Sequence, residues 1–102
     1  MRLLDLQPRW VIHEPERRWL LFKSPVGHGY WLTCKNFPMS ISDQLRELYR
    51  LCPDLVRQPI VPCKAETVWR ITGEFENLCI IPSLDASPSG NWHGCITNGV
   101  IS

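Results

Sequence analysis

The sequence lacks the long apolar segment and the excess of one charge that mark several large classes of protein. Its apolar runs are short, because residues 19–22 are followed by Lys23 and residues 78–81 by Pro82. Neither run approaches the roughly 20 residues of a membrane-spanning helix. Eleven Lys and Arg against ten Asp and Glu leave a formal charge of +1, which is too small for a surface that binds nucleic acid or an anionic membrane. We therefore expect neither a membrane nor a nucleic acid as partner.

The signs of secretion are missing too. The cysteines at positions 34, 52, 63, 79 and 95 are odd in number and include no Cys-x-x-Cys pair, which fits reduced thiols better than a disulfide framework. Near the N-terminus, Asp5 and Pro8 interrupt what a secretion signal needs as a continuous apolar core. The sequence predicts a cytoplasmic protein.

The chain has the length and composition of one globular domain covering residues 1–102, with 44% hydrophobic and 21% charged residues. Nine prolines and six glycines argue against a helical bundle. Short apolar segments between turn-forming clusters predict strands, at residues 10–12, 19–22, 30–34, 67–72 and 78–81. The expected fold is a small α+β domain with a mainly antiparallel sheet.

One segment has helical periodicity. Leu45, Leu48 and Tyr49 recur at helical spacing, which predicts a helix over residues 42–52. Ser40 and Ser42 are equally good N-caps. Residues 53–66 contain three prolines and are predicted to be an extended connector, while Asn98-Gly99 is a tight-turn dipeptide.

The reactive side chains are concentrated at residues 82–94. This segment brings together Ser83, Ser87, Ser89, Asp85 and His93. A hydroxyl, an imidazole and a carboxylate are the parts of an activated nucleophile. Serine, aspartate, proline and glycine are also the commonest turn formers, so composition alone favours a structural turn.

Read as a catalytic loop, the segment assigns a role to each group. His93 is the base, Ser89 the first candidate for the nucleophile, and Ser83 and Ser87 are its rivals. Asp85 is the candidate orienting carboxylate, although triads usually draw their members from separate segments. Other available carboxylates are Glu14, Glu66, Glu74 and Glu76. Cys95 is an alternative nucleophile because it would share a strand face with His93, although a thiol between Gly94 and Ile96 is more often buried.

Three neighbours are the predicted substrate-binding residues: Gly90, Asn91 and Trp92. Gly90 would let the backbone bend so that amide groups face a developing oxyanion, and Trp92 would line a groove for an extended peptide. The other histidines are predicted to be surface residues. His13 would form an exposed pair with Glu14, and His28 would lie in a flexible turn.

The last third of the chain carries a resemblance to a known family. Residues 69–78, followed by residues 81–99 with Pro82-Ser83-Leu84-Asp85 and Trp92-His93-Gly94-Cys95 among them, resemble the C-terminal signature of the bacterial family of unknown function DUF6527. Members of that family are encoded beside a ubiquitin-like protein and E1-like and E2-like proteins. The resemblance implies a role beside that conjugation pathway, as a peptidase that trims the ubiquitin-like precursor or reverses the conjugate.

The chain departs from that family at two places. Many relatives have a Cys-x-x-Cys pair and a His-x-His sequence, which suit a four-ligand zinc site. Here Cys34 stands alone and Asn91 replaces the first histidine. We expect no cofactor, although a zinc site from Cys34, Cys63, Cys79, Cys95 and His93 stays geometrically open.

The sequence thus predicts a serine peptidase that acts by acyl transfer on the C-terminal tail of a ubiquitin-like protein. The E1-like and E2-like proteins are further possible partners. The alternative is a non-catalytic interaction module of the same pathway, descended from zinc-binding relatives. Loss of the metal ligands suits both.

Overall fold

Three antiparallel strands form the first half of the protein. The computed structural model describes residues 1–27, 29–86 and 92–102, and a short 3-10 helix at Leu3–Leu6 precedes β1 (Arg9–Glu14), β2 (Arg17–Lys23) and β3 (Trp31–Lys35). Trp10 pairs with Leu20 across β1 and β2, and Leu20 pairs with Cys34 across β2 and β3. The strands predicted at residues 10–12, 19–22 and 30–34 are confirmed, because each of these apolar segments corresponds to one of the three strands, with β3 beginning at Trp31.

The predicted helix is also confirmed. Helix α1 spans Ile41–Leu51, and the hydroxyl of Ser40 accepts a hydrogen bond from the backbone N–H of Asp43 at 3.2 Å. Ser40 therefore caps the helix, and Ser42 lies inside its first turn. Gln44 and Leu48 are the helix residues that are buried.

The connector after α1 is more structured than predicted. It contains a 3-10 helix at Pro53–Leu55 and strand β4 (Ile60–Val61), which pairs in parallel with β3 through Trp31–Ile60 and Leu32–Val61. The prediction of an extended connector is wrong at Pro53–Leu55, where the chain forms a 3-10 helix. Ile60 and Val61, between two prolines, are too short a segment to show an alternating hydrophobic pattern. They form a strand because they pair with β3.

In the C-terminal half, the described residues form three short antiparallel strand pairs. Their strands are β5 (Arg70–Thr72), β6 (Cys79–Ile81), β7 (Leu84–Asp85), β8 (His93–Gly94), β9 (Ile96–Thr97) and β10 (Val100–Ile101). Asn98 and Gly99 join β9 to β10 with φ of 51° and 74°, the left-handed conformation that a two-residue hairpin turn requires. The tight turn predicted from Asn98-Gly99 is confirmed.

The four-stranded sheet β1-β2-β3-β4 is covered on both faces. Along β2, Leu20 and Phe22 belong to a core shared with the C-terminal strand pairs, while Trp19 and Leu21 belong to a core shared with α1. Successive side chains of a strand point to opposite faces, which explains why all four are buried. The chain is a small α+β protein with mostly antiparallel sheets.

In the described part of the chain, no helix has the length and apolar character needed to cross a membrane.

Candidate functional site

The β7–β8 pair brings two of the predicted site residues together. Asp85 on β7 lies directly opposite His93 on β8, and Leu84 lies opposite Gly94. The pair continues beyond the strands, because the backbone N–H of Ala86 donates to the carbonyl of Trp92 at 2.9 Å. Asp85 and His93 are both exposed.

The register places Asp85 and His93 on one face of the strand pair. Directly opposed residues of an antiparallel pair alternate between hydrogen-bonded and non-hydrogen-bonded positions. Because Ala86 and Trp92 are hydrogen-bonded, the preceding pair, Asp85 and His93, takes the non-hydrogen-bonded position. There the Cα atoms are about 4.5 Å apart and the side chains stand closest together on one face. An imidazole and a carboxylate so placed are within reach of a hydrogen bond.

Of the three candidate serine nucleophiles, the structure describes only Ser83. Ser83 is exposed and immediately precedes β7. Ser87 and Ser89 lie outside the described residues, as do Gly90, Asn91 and His28. The roles predicted for them stay predictions.

Trp92 anchors β8 to the protein interior. Its ring meets Phe22 edge to face, with centroids 6.1 Å apart, and it packs against the core beneath the sheet. A Cβ atom on Gly94 would approach the Trp92 ring to 2.3 Å and the Ser102 carbonyl oxygen to 2.1 Å. The ring therefore covers Gly94, on the face opposite to His93. Because the Trp92 ring is half-buried, only its exposed part is available for the predicted contact with a substrate.

Cys95 is exposed, whereas a thiol at this position was expected to be buried. The reason is strand alternation, because Gly94 is partly buried and Ile96 fully buried, which turns Cys95 outward with His93. The backbones of Cys95 and Ser102 exchange two hydrogen bonds of 3.0 Å. The thiol remains an alternative nucleophile.

A cavity of about 300 Å³ lies beside the β7 segment. Its described lining includes Ser83 and Asp85, so the cavity borders the candidate reactive groups. The rest of the lining is mainly apolar and comes from β3, β4, the start of α1, the segment before β5, and β7 with the residue after it: Leu32, Thr33, Ile41, Val61, Pro62, Cys63, Lys64, Thr67, Trp69, Leu84 and Ala86.

A polar cluster that the sequence did not predict supports one wall of this cavity. Lys35 is fully buried, and its ammonium donates hydrogen bonds to the carbonyls of Lys64 at 2.9 Å and Thr67 at 2.6 Å. The buried amide of Gln44 donates to the carbonyls of Met39 and Cys63, at 2.9 and 2.8 Å. A lysine at the end of a strand gives no sequence signal of burial. These bonds hold the chain between β4 and β5 against β3 and α1.

The thiols of this region are structural. Burial raises the pKa of the Cys63 thiol, and the neighbouring Lys35 ammonium partly opposes the rise. Burial likewise raises the pKa of Cys34 well above its ordinary value. The Cys63 thiol donates to the Gln44 side-chain oxygen at 3.3 Å. Neither thiol is poised as a thiolate nucleophile.

The predicted pair of His13 with Glu14 is present, with His13 Nε2 4.0 Å from a Glu14 carboxylate oxygen, but His13 is half-buried rather than exposed. Its ring stacks on Phe37 with centroids 5.3 Å apart, and its Nδ1 atom lies 3.2 Å from a carboxylate oxygen of Glu47 on α1. The pairing of β1 with β2 shifts between Ile12 and Glu14, which is a β-bulge at His13. A bulge re-aims a side chain, and this one turns His13 toward the helix.

The other carboxylates considered as orienting groups lie elsewhere. Glu14 is the last residue of β1, and its carboxylate oxygen Oε2 lies 3.7 Å from Nε of Arg17. Glu74 and Glu76 lie in the exposed turn between β5 and β6, and Glu66 is exposed before β5. Asp85 is the carboxylate that the register sets opposite His93.

Within residues 1–27, 29–86 and 92–102, no three His, Cys, Asp or Glu side chains cluster as ligands of a metal ion.

Comparisons of the chain with protein-family models, with curated proteins and with solved structures found no match.

Proposed function

We propose that the protein is a serine peptidase whose base is His93 and whose orienting carboxylate is Asp85. Its proposed substrate is the C-terminal tail of a ubiquitin-like protein, and this part of the proposal rests on the family resemblance of residues 69–99. The observation that carries the proposal is the opposition of Asp85 and His93 across β7 and β8. The adjoining cavity gives a substrate a place to bind.

The chemistry needs a carboxylate next to the imidazole. A serine hydroxyl is a weak nucleophile until a neutral imidazole accepts its proton. A carboxylate on the other ring nitrogen fixes the orientation of the imidazole and stabilises the imidazolium that forms. Asp85 and His93 can fill these roles from neighbouring strands, which hold both backbones in place.

The proposed reaction proceeds in two balanced steps. The serine oxygen bonds to the substrate carbonyl carbon as His93 takes the hydroxyl proton, and the C–N bond then breaks as His93 returns that proton to the leaving amine. In the second step His93 takes a proton from water as the water oxygen bonds to the acyl carbon, and His93 then returns that proton to the serine oxygen as the acyl C–O bond breaks. The products are a free carboxylate end and the regenerated hydroxyl. Ser89 is the first candidate for this serine, with Ser83 and Ser87 as rivals.

The test is cleavage of the ubiquitin-like precursor by purified variants, with and without a strong chelator. We expect His93→Ala to lower the rate by about 10²- to 10⁴-fold, the usual contribution of a general base. Asp85→Asn should also lower the rate severely, while Glu76→Gln, which removes an exposed carboxylate from another turn, should not. One of Ser83→Ala, Ser87→Ala and Ser89→Ala should abolish cleavage, and the chelator should have no effect.

An unchanged cleavage rate in His93→Ala, or cleavage that the chelator abolishes, would contradict the proposal. The rival function, a non-catalytic docking module, is favoured by one observation. Ile41 is half exposed at the lining of a largely apolar cavity, as a docking residue would be. A wild-type protein that binds the precursor and never cuts it would support that function instead.

A further inference from the structure

Strand β1 forms one edge of the four-stranded sheet, and its outer side is unpaired in the part of the chain that the structure describes. The strand order β1-β2-β3-β4 leaves β1 with a single neighbour, β2. Apart from that pairing, no hydrogen bond between described residues reaches the backbone of Arg9–Glu14. The opposite edge of the sheet is the two-residue strand β4. An open edge such as that of β1 can bind a further strand.

The register shows which backbone groups of β1 face outward. The carbonyl of Arg18 accepts a hydrogen bond from the backbone N–H of the residue that follows β3, at 3.3 Å, so Arg18 is bonded toward β3. Both polar backbone groups of a residue in an antiparallel strand point to the same side, and successive residues alternate. Trp19 is therefore bonded toward β1, to its partner Val11. It follows that Trp10 and Ile12 direct their N–H and C=O groups to the open edge.

Two features limit the usable edge to a short segment. Pro8, which has no backbone N–H, immediately precedes β1, and the β-bulge at His13 interrupts the strand. Prolines and bulges are the devices by which edge strands avoid long pairing with other sheets. The regular part of the edge is therefore residues 9–12, which suits one short extended segment better than the edge of another sheet.

The side chains along this edge indicate the chemistry of a partner. Trp10 and Ile12 share one face of the strand, and Ile12 is 52% exposed. The guanidinium carbon of Arg18 lies 3.9 Å from the centre of the Trp10 ring, and no carboxylate among the described residues pairs with Arg18. A guanidinium over an aromatic ring keeps N–H donors for a carboxylate. An acidic residue opposite Trp10 and an apolar residue opposite Ile12 would complement this edge.

We propose that the outer edge of β1 binds an extended acidic peptide segment of a partner protein as an additional antiparallel strand, the more stable pairing per residue. The segment exchanges hydrogen bonds with the backbone of Trp10 and Ile12, and its carboxylate pairs with Arg18. A second copy of this chain is a poorer occupant, because pairing of β1 with itself would bring a second unpaired Arg18 into the contact. The edge contains none of the proposed catalytic groups, so the inference does not depend on the peptidase.

The test titrates the ¹⁵N-labelled protein with the peptide acetyl-Thr-Val-Thr-Glu-Thr-amide, whose Val would lie opposite Ile12 and whose Glu would lie opposite Trp10. We expect the backbone amide signals of Trp10 and Ile12 to shift in NMR spectra at millimolar peptide. A peptide with Lys in place of Glu should bind at least about tenfold more weakly. N-methylation of the Val or the Glu nitrogen should weaken binding by a similar factor, because it removes an N–H that faces β1. N-methylation of the middle Thr, whose N–H faces away from β1, should not.

Two substitutions check the charge pairing. Arg18→Gln should remove the preference for the Glu peptide over the Lys peptide, whereas Arg57→Gln, at an exposed arginine outside β1 and β2, should keep it. Unmoved Trp10 and Ile12 amides, equal binding of the Glu and Lys peptides, or equal loss from all three methylations would overturn the inference.

Amide hydrogen exchange of the free wild-type protein tests the open edge without any variant. In dilute protein, the N–H groups of Trp10 and Ile12 should exchange at least about tenfold faster than that of Val11, which is bonded to β2. Equal protection of the three at every concentration would show that the edge is already covered. Protection of Trp10 and Ile12 that grows with protein concentration, together with a dimer in sedimentation, would assign the edge to a second copy and overturn the peptide assignment. None of these measurements depends on cleavage.

Discussion

At Gly94 the backbone of β8 passes beneath the Trp92 ring and beside the Ser102 carbonyl. An added Cβ would lie 2.1 Å from that carbonyl oxygen, far inside contact distance. The position therefore links the placement of His93, one residue earlier, to the packing of Trp92.

We predict that Gly94→Ala destabilises the protein by about 3 kcal/mol, the upper part of the usual range for overpacking. Gly27→Ala is the control. A Cβ there meets nothing, and only its φ of +84° is unfavourable, at a cost of about 1 kcal/mol. Urea unfolding measures both free energies. Similar losses for the two variants would mean that Trp92 does not cover β8 as described.

The carboxylate of Glu47 connects α1 to β1 and responds to pH. Hydrogen bonds from Arg50 lower the pKa of Glu47 from 4.5 to about 2, with a smaller contribution from His13. A lowered folded-state pKa means that the ionised group stabilises the protein above pH 4.5, and that this contribution is lost as the pH falls toward 2.

We predict that Glu47→Gln lowers the melting temperature most above pH 4.5 and that its difference from the wild type closes by about pH 2. Arg50→Met removes the largest cause of the lowered Glu47 pKa. It should therefore also reduce the loss of stability between pH 4.5 and about pH 2. Circular dichroism melts across this pH range provide the measurement. A difference that is constant with pH would show that Glu47 is not held by these partners.

Among the elements, helix α1 has two candidate N-cap residues in the sequence, and the structure shows which of them caps the helix. Ser40 and Ser42 both suit an N-cap, and the structure has the Ser40 hydroxyl accepting from Asp43. We predict that Ser40→Ala costs about 1 kcal/mol, while Ser42→Ala, inside an exposed first turn, changes the stability by less than about 0.5 kcal/mol. Chemical denaturation of the two variants compares them directly. A larger loss for Ser42→Ala would contradict the assigned cap.

Elements with their own periodicity could be predicted from the sequence, and elements made by distant pairing could not. Helix α1 and strands β1–β3 carry local patterns long enough to identify. Strand β4 has two residues, and its existence depends on pairing with β3. The bulge that turns His13 toward Glu47 is likewise a property of register between strands, which local composition does not encode.

On the scale of the whole molecule, the candidate site was partly predictable. Its reactive residues stand close together in the sequence, so Asp85 and His93 could be nominated without knowledge of the register that opposes them. The cavity could not be foreseen, because its lining comes from segments as distant as Leu32 and Ala86. The burial of Lys35 could not be predicted from the sequence either, because its hydrogen-bond partners are backbone carbonyls of distant residues.

The central claim is that His93, oriented by Asp85, activates Ser83, Ser87 or Ser89. The most direct measurement is labelling of the folded protein with a serine-directed fluorophosphonate, followed by mapping of the modified peptide by mass spectrometry. We predict that the label is found on one of Ser83, Ser87 and Ser89, that His93→Ala slows labelling by at least about 100-fold, and that Asp85→Asn slows it as well. A wild-type protein with no labelled serine, or one labelled equally fast in the His93→Ala variant, would contradict the account.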